Sequence, residues 1–202
     1  MPRSEELSAQ MRAESRRVLT SAARRVFAQK GYFNSRISDI AQEADMSQGN
    51  LYWYFDGKEG LLKAVLAEGF EIIETITAEV AEVPTPAGEK IDLLISRFVE
   101  LYRQQGSFTT ILLSLMAHGG PAFIHSLGFD MPAIGGRYHA NVGRIFAQAR
   151  HEGLVEADPE LLVRYFFAFF NGLLITYGDH FHAMPLETLQ STIRRLCGLK
   201  NR

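Results

Sequence analysis

Nowhere in this sequence do apolar and polar residues alternate as a half-buried strand requires. Apolar positions recur three and four apart instead, in runs closed by glycine or proline. That pattern confines the chain to an all-α architecture. Val18, Ala22 and Val26, with Leu19, Ala23 and Phe27, give a first helix from about Ser8 to Lys30 a single apolar face, and Gly31 stops it. Leu61, Leu62, Val65, Leu66, Phe70 and Ile73 do the same for a helix from Lys58 to about Val80, which Pro84 and Pro86 interrupt. Residues 1–63 are expected to form a three-helix head, and residues 64–202 a helical-bundle body.

In the body, Ile91, Leu94, Ile95, Phe98, Leu101 and Tyr102 mark a helix from Gly88 to Gln105. Gly106 is expected to break it, and Ser107 to cap a short helix ending at Met116. His118-Gly119-Gly120-Pro121 reads as a second break, and Ser126 to Gly136 as a loose glycine-rich stretch. A helix from Arg137 to Glu152 closes at Gly153. Asp158-Pro159-Glu160 then places an N-cap, a first-position proline and an acid at the start of a long apolar helix reaching about His180. Met184-Pro185 ends that helix, and Leu186 to Leu199 forms the last.

The head holds a denser stretch between Ser35 and Leu62. Ser35 reads as the N-cap of a short helix, with Asp39 in its first turn and Ile37, Ile40, Ala41 and Ala44 along its apolar stripe. Asp45-Met46 supplies a turn, and Ser47 caps a second short helix from Gln48 to Phe55. Tyr52 and Phe55 read as partly core, but burying Gln48, Asn50, Trp53 and Tyr54 as well would strand polar groups. Amides read adenine edges in a major groove, and aromatic rings meet thymine methyls or sugar-phosphate. Gly49 costs about 1 kcal/mol against alanine in a helix, which close approach of the backbone to DNA would explain. The segment reads as a helix-turn-helix. Gln48, Asn50 and Trp53 are expected at bases, and Tyr54 and Lys58 at phosphate, with Ser35, Arg36, Ser38, Ser47, Gly49 and Tyr52 completing the DNA-facing set.

Gly31-Tyr32, Ser35, Ile37, Asp39-Ile40-Ala41, Ala44, Ser47-Gln48-Gly49, Leu51-Tyr52, Tyr54-Phe55, Lys58 and Leu61 fall in an order and spacing that resembles TetR-type transcriptional regulators. The resemblance covers roughly the first third of the chain. Asp45 and Met46 stand where that family commonly has glycine and valine, and Ser38 where it often has an arginine. Aspartate tolerates the left-handed conformation such a turn needs. The resemblance implies a homodimer that presents two such helices to double-stranded DNA at a roughly palindromic operator. It also implies a repressor released by a small effector bound in the body, with the helix from Lys58 relaying the change.

The rest of the sequence supports that picture without naming the effector. The net charge is only −2, with a small basic excess in the head and an acidic one in the body. Arg3, Arg12, Arg16 and Arg17 form either a basic arm or, with Glu5, Glu6 and Glu14 interleaved, a solvated helical face. One cysteine, Cys197, excludes an internal disulfide and fits a reducing cytoplasm. Met1 to Arg17 is too polar for a secretory signal, and the apolar run from Tyr165 to Gly178 is short for a membrane span. No catalytic triad order, phosphate loop or zinc spacing appears, so no enzyme and no cofactor is expected. Asp179, His180 and His182 lie together, but a helix C-terminus accounts for histidines there without a metal.

The helix after Asp158 is apolar almost all round and needs burial on more than one side. Its Ala168, Asn171, Ile175 and Gly178 share a face suited to close approach, by a neighbouring helix or by a second copy of the chain. The resemblance favours the second copy, with the last helix as companion in a four-helix interface. Phe98, Tyr102, Phe108, Leu112, Met116, Phe123, Phe146, Phe166, Phe170 and Tyr177 are expected to wall a pocket for a largely hydrophobic effector.

Overall fold

In the computed structural model, which describes residues 2–177 and 183–199, the described residues form eight helices and no strand. They are α1 (Pro2–Lys30), α2 (Ile37–Glu43), α3 (Gln48–Tyr54), α4 (Gly57–Glu82), α5 (Ala87–Ser126), α6 (Met131–His151), α7 (Pro159–Tyr177) and α8 (Leu186–Leu196). The chain divides into two compact units: residues 1–69 with 110–128, and residues 70–109 with 129–202. The expected division after residue 63 differs from this, because the end of α5 belongs with the head.

In the first unit the predicted apolar face of α1 is buried at Leu19, Ala22, Ala23, Val26 and Phe27. Ile40 and Ala41 of α2, Leu51 of α3 and Leu61, Leu62, Val65 and Leu66 of α4 are buried with them. α2 ends in a turn that closes twice, by Asp45 N–H to the Gln42 carbonyl at 3.1 Å and Met46 N–H to the Ala41 carbonyl at 2.9 Å. Asp45 adopts φ +52° there, the conformation for which glycine is the usual choice. From the far end of α5, Phe123 packs its ring 5.7 Å from Tyr32 and 5.3 Å from Phe33.

In the second unit, α6 is zipped to the later turns of α4. Arg137 pairs with Glu74 at 2.8 Å, Asn141 donates to the buried Thr77 hydroxyl at 3.2 Å, and Arg144 pairs with Glu82 at 2.6 Å. Two helix ends are satisfied by side chains from elsewhere in the chain. Glu152 accepts from the first N–H of α5 at Ala87, and the buried Lys90 donates to the Ala81 carbonyl near the end of α4 at 2.7 Å. Arg194 of α8 grips both oxygens of Asp92 at 2.9 Å. The core between them runs through Ile91, Leu94, Phe98, Ile145, Phe146, Phe166, Phe170 and Ile193.

Three expectations about the body are corrected. Gly106 does not break the chain, and α5 continues through 40 residues to Ser126. A helix interior absorbs glycine at about 1 kcal/mol, and buried Phe108, Ile111 and Leu115 carry the apolar face on past it. The expected break at His118–Pro121 survives only as a distortion, with Gly120 at φ +66° just ahead of Pro121. The loose stretch to Gly136 is also shorter than expected. Asp130 caps α6 by accepting from Ala133 N–H at 3.1 Å, with proline in its first turn, so the helix starts at Met131. α7 begins at Pro159 as the start signal requires. At 19 residues it is longer than the apolar run read from sequence, and by length and composition alone both it and Gly106–Ser126 could cross a membrane.

Candidate functional site

The helix α3 is held from below and open above. Ser47 caps α3 by accepting from Asn50 N–H at 3.1 Å, and Leu51 buries its side chain completely. Around that anchor, Gln48, Gly49, Asn50, Tyr52 and Trp53 are exposed, Tyr52 at 59% and Trp53 at 66%. Two large aromatic side chains so far into solvent on a helix of seven residues call for a partner surface. Trp53 and Tyr54 meet edge to face at 4.6 Å. Phe55 is core at 6% exposure, whereas Tyr52, expected to be partly core, is not. A Cβ on Gly49 would meet only the Ser47 hydroxyl, at 3.8 Å, so nothing inside the protein demands glycine there.

Other expected DNA-facing residues are placed differently. Ser35 is not the N-cap of α2. Arg36 holds that position, with its N–H donating to Asp39 at 2.9 Å. Ser35 is buried, and its hydroxyl donates to the Tyr32 carbonyl at 2.7 Å, so the side chain serves the loop. Lys58 is turned inward as well. Its ammonium donates to the carbonyls of Tyr32 and Ser35, each at 2.8 Å, and sits 4.5 Å over the Tyr32 ring. Partial burial there lowers its pKa from the ordinary lysine value. Arg36, Ser38 and Ser47 remain exposed. Beside α2, Lys30 pairs with Asp39 at 3.0 Å and, with the Arg36 N–H, holds the Asp39 carboxyl below its usual range.

In the body, Phe98, Tyr102, Phe166 and Phe170 are buried and packed ring against ring, with centroids 4.9–6.1 Å apart. Phe146 and Phe108 are buried too, the latter edge-on to Phe70 at 5.3 Å. The other expected wall residues are not with them. Leu112, Met116 and Phe123 fall in the head unit, and Met116 and Tyr177 are exposed at 39% and 44%. Periodicity cannot reveal that α5 returns to the head, because the same apolar face serves both units. One open groove of about 520 Å³ runs between α6 and α7, past His139, Arg144, Val163 and Arg164. Another, of about 400 Å³ between α7 and α8, is lined by Tyr165, Phe166, Ala168, Phe169, Ile193 and Leu196.

The outer face of α7 carries Leu161, Tyr165 and Ile175 at 39%, 49% and 69% exposure, joined by Leu196 of α8 at 57%. Ala168 lies in the same exposed row and Asn171 is half-buried, while Gly178 falls outside the described residues. Asp179, His180 and His182 also lie outside them, and no metal-binding cluster occurs among the described residues.

Residues 19–65 match the family model for bacterial regulatory proteins of the tetR family. The fatty acid metabolism regulator protein of Bacillus subtilis is 36% identical over 84 residues, a match that spans 41% of this chain and 43% of that regulator. Among solved structures, AibR with isovaleryl coenzyme A and operator DNA has a TM-score of 0.73 at 17% identity, covering 92% of this chain and 100% of that one. FadR from Bacillus subtilis with stearoyl-CoA has a TM-score of 0.71 at 21% identity, covering 91% and 98%. Residues 19–65 therefore carry the sequence pattern of the tetR-family DNA-binding region, and the all-helical fold is shared with these regulators over most of the chain.

Proposed function

We propose that this protein is a ligand-responsive transcriptional repressor, which binds a roughly palindromic operator as a homodimer and is released by a small, largely hydrophobic effector. The observation that carries the reading is α3 itself, tethered through buried Leu51 while Gln48, Asn50, Tyr52 and Trp53 face solvent. Amides and aromatic rings on one rigid, shallow helix suit base edges and thymine methyls in a major groove. Gly49, free of any internal packing demand, lets the backbone come near the DNA. Arg36, Ser38 and Ser47 are free to reach phosphates, whereas Ser35 and Lys58 act on the loop before α2.

Leu161, Tyr165, Ala168 and Ile175 form an exposed row along α7 at intervals of four, three and seven residues, with Gly172 filling the position between the last two. Apolar residues at that spacing seat against a second helix, and here a second copy of α7 and α8 supplies it. Covering this face also accounts for the apolar character of a helix that by length and composition alone could cross a membrane.

The effector class is taken from the relatives that bind acyl-coenzyme A thioesters. The rings of Phe98, Tyr102, Phe166 and Phe170 are packed against one another, so an acyl chain would have to part them to lie among their apolar faces. An effector releases DNA only if it binds the non-DNA geometry better, since equal affinity for both states shifts nothing. α4 and α5 are continuous through both units and are the elements that carry the change.

The test is fluorescence anisotropy with the DNA upstream of the protein's own gene against a scrambled duplex, at low and near-physiological salt. A preference of about a thousandfold that persists at the higher salt, and is relieved by an acyl-coenzyme A, is the expected result. Equal, steeply salt-dependent binding to both would point to an architectural DNA-binding role instead.

A further inference from the structure

We infer that Arg16 is a positioning residue for the DNA-reading helix, fixing the C-terminal end of α3 and with it the angle at which Gln48, Asn50 and Trp53 meet the bases. The inference rests on α3 being that helix. Arg16 lies on α1, and its Nη1 donates to the Tyr54 carbonyl at 2.6 Å while the guanidinium sits 4.3 Å from the centre of the Phe55 ring.

A helix of seven residues is far too short to hold its own shape in water, so its attachments decide where it points. The N-terminal end has the Ser47 cap, and the middle has Leu51 at 0% exposure. At the C-terminal end, the Phe55 N–H goes back to Leu51, and Gly57 N–H goes to the Phe55 carbonyl. The Tyr54 carbonyl needs a donor from outside the helix, and Arg16 brings one with a positive charge at the negative end of the dipole. Stacking over Phe55, itself buried, fixes the guanidinium against the core. Because the Trp53 ring rests edge-on against Tyr54 at 4.6 Å, holding the Tyr54 backbone also sets the base-facing indole. The sequence leaves Arg16 as part of a basic arm or a solvated face. The structure leaves Arg16 on the exposed face of α1 that the second reading describes, and there its Nη1 donates to the Tyr54 carbonyl.

The experiment uses Arg16→Met and Arg16→Gln. Glutamine keeps a neutral donor for the carbonyl, and methionine keeps only the bulk. Trp53 is the chain's single tryptophan, so its fluorescence anisotropy and acrylamide quenching report the mobility of α3 in the free protein. Binding is measured to the duplex that the wild type selects from a random pool, and to an unrelated duplex, over a salt series. Arg16→Met is expected to lower the Trp53 anisotropy, raise its quenching and cut sequence preference about tenfold or more, the worth of a charge-assisted hydrogen bond, with the salt slope unchanged. Arg16→Gln should recover most of the preference. Two results would overturn the inference: an unchanged Trp53 signal in Arg16→Met, or an equal loss on both duplexes with a salt slope lower by about one and no rescue by glutamine, the mark of a phosphate contact. A wild type without sequence preference would sink the reading of α3, while the Trp53 measurement would still decide the clamp. If Arg16→Met does not fold, Arg16→Lys carries the comparison, keeping the charge but losing the planar stack.

Discussion

Lys58 reaches across from the start of α4 to Tyr32, donating to its carbonyl at 2.8 Å and lying 4.5 Å over its ring. A second bond of the same length to the Ser35 carbonyl makes the lysine a staple for the loop ahead of α2. Lys58→Met removes both donors and leaves two carbonyls short of partners. It should lower stability by about 1–3 kcal/mol, visible as an earlier chemical-denaturation midpoint with an unchanged slope. Operator affinity measured well below that midpoint should change little in its salt dependence.

Trp53→Ala and Leu51→Ala separate reading from folding on opposite faces of one turn of α3. At 66% exposure, Trp53 supports little else, so its loss should abolish operator preference and leave the melting temperature nearly unchanged. Leu51 is fully buried, and its truncation should cost about 2–5 kcal/mol. Thermal unfolding and anisotropy binding on the two variants check both halves.

Ile175→Glu places a charge at the C-terminal end of the exposed row on α7, at its most exposed position. Light scattering should report a monomer with wild-type helix content by circular dichroism, and operator binding should fall as the half-sites lose their coupling. A dimer that survives the charge would move the interface elsewhere.

Gly119 and Gly106 answer oppositely to alanine. A Cβ at 119 would sit 2.7 Å from the Cβ of Phe123 and 2.9 Å from its Cγ, so the ring must leave Tyr32 and Phe33; the cost should be about 1–3 kcal/mol. At 106 nothing lies within 4 Å, and alanine should stabilise α5 by about 0.5–1 kcal/mol. Differential scanning calorimetry of the two variants gives the sign of each.

Asp39 makes the head sensitive to acid. Lys30 and the Arg36 N–H favour the charged carboxylate, so its folded pKa lies below the ordinary 3.8. The unfolded chain takes up the proton first as pH falls, so the contribution is whole above 3.8 and is lost as pH drops through the folded value. Asp39→Asn should be less stable than wild type at about pH 5, and the gap in melting temperature should narrow towards about pH 3.

What the sequence made legible was local chemistry. Ser47, Asp45, Gly31 and Asp158-Pro159 each act within a few residues of themselves, and each sits at the helix boundary its chemistry demands. The exposed and buried sides of α3 followed from the same short-range reasoning, apart from Tyr52. Errors came where a distant partner decides the outcome. Ser35 is a sound cap by type, but Tyr32 takes its hydroxyl and Lys58 takes its carbonyl. Gly106 is a sound breaker by type, but the apolar stripe on either side of it holds the helix together. Phe123 could be read only as apolar, and whether it walls a cavity or packs on Tyr32 depends on where a 40-residue helix ends.

The return of residues 110–128 to the head unit bears on how such proteins are taken apart and recombined. A head cut after residue 69 keeps every residue of the helix-turn-helix yet leaves Tyr32 and Phe33 without the Phe123 ring that packs on them. Chimeras that transfer this first unit should therefore exchange two stretches of sequence. For evolution, the same arrangement ties drift in the loop at Tyr32 to drift in the last turns of α5. A lineage that varies α5 must keep, or compensate, the packing of Phe123 on Tyr32 and Phe33.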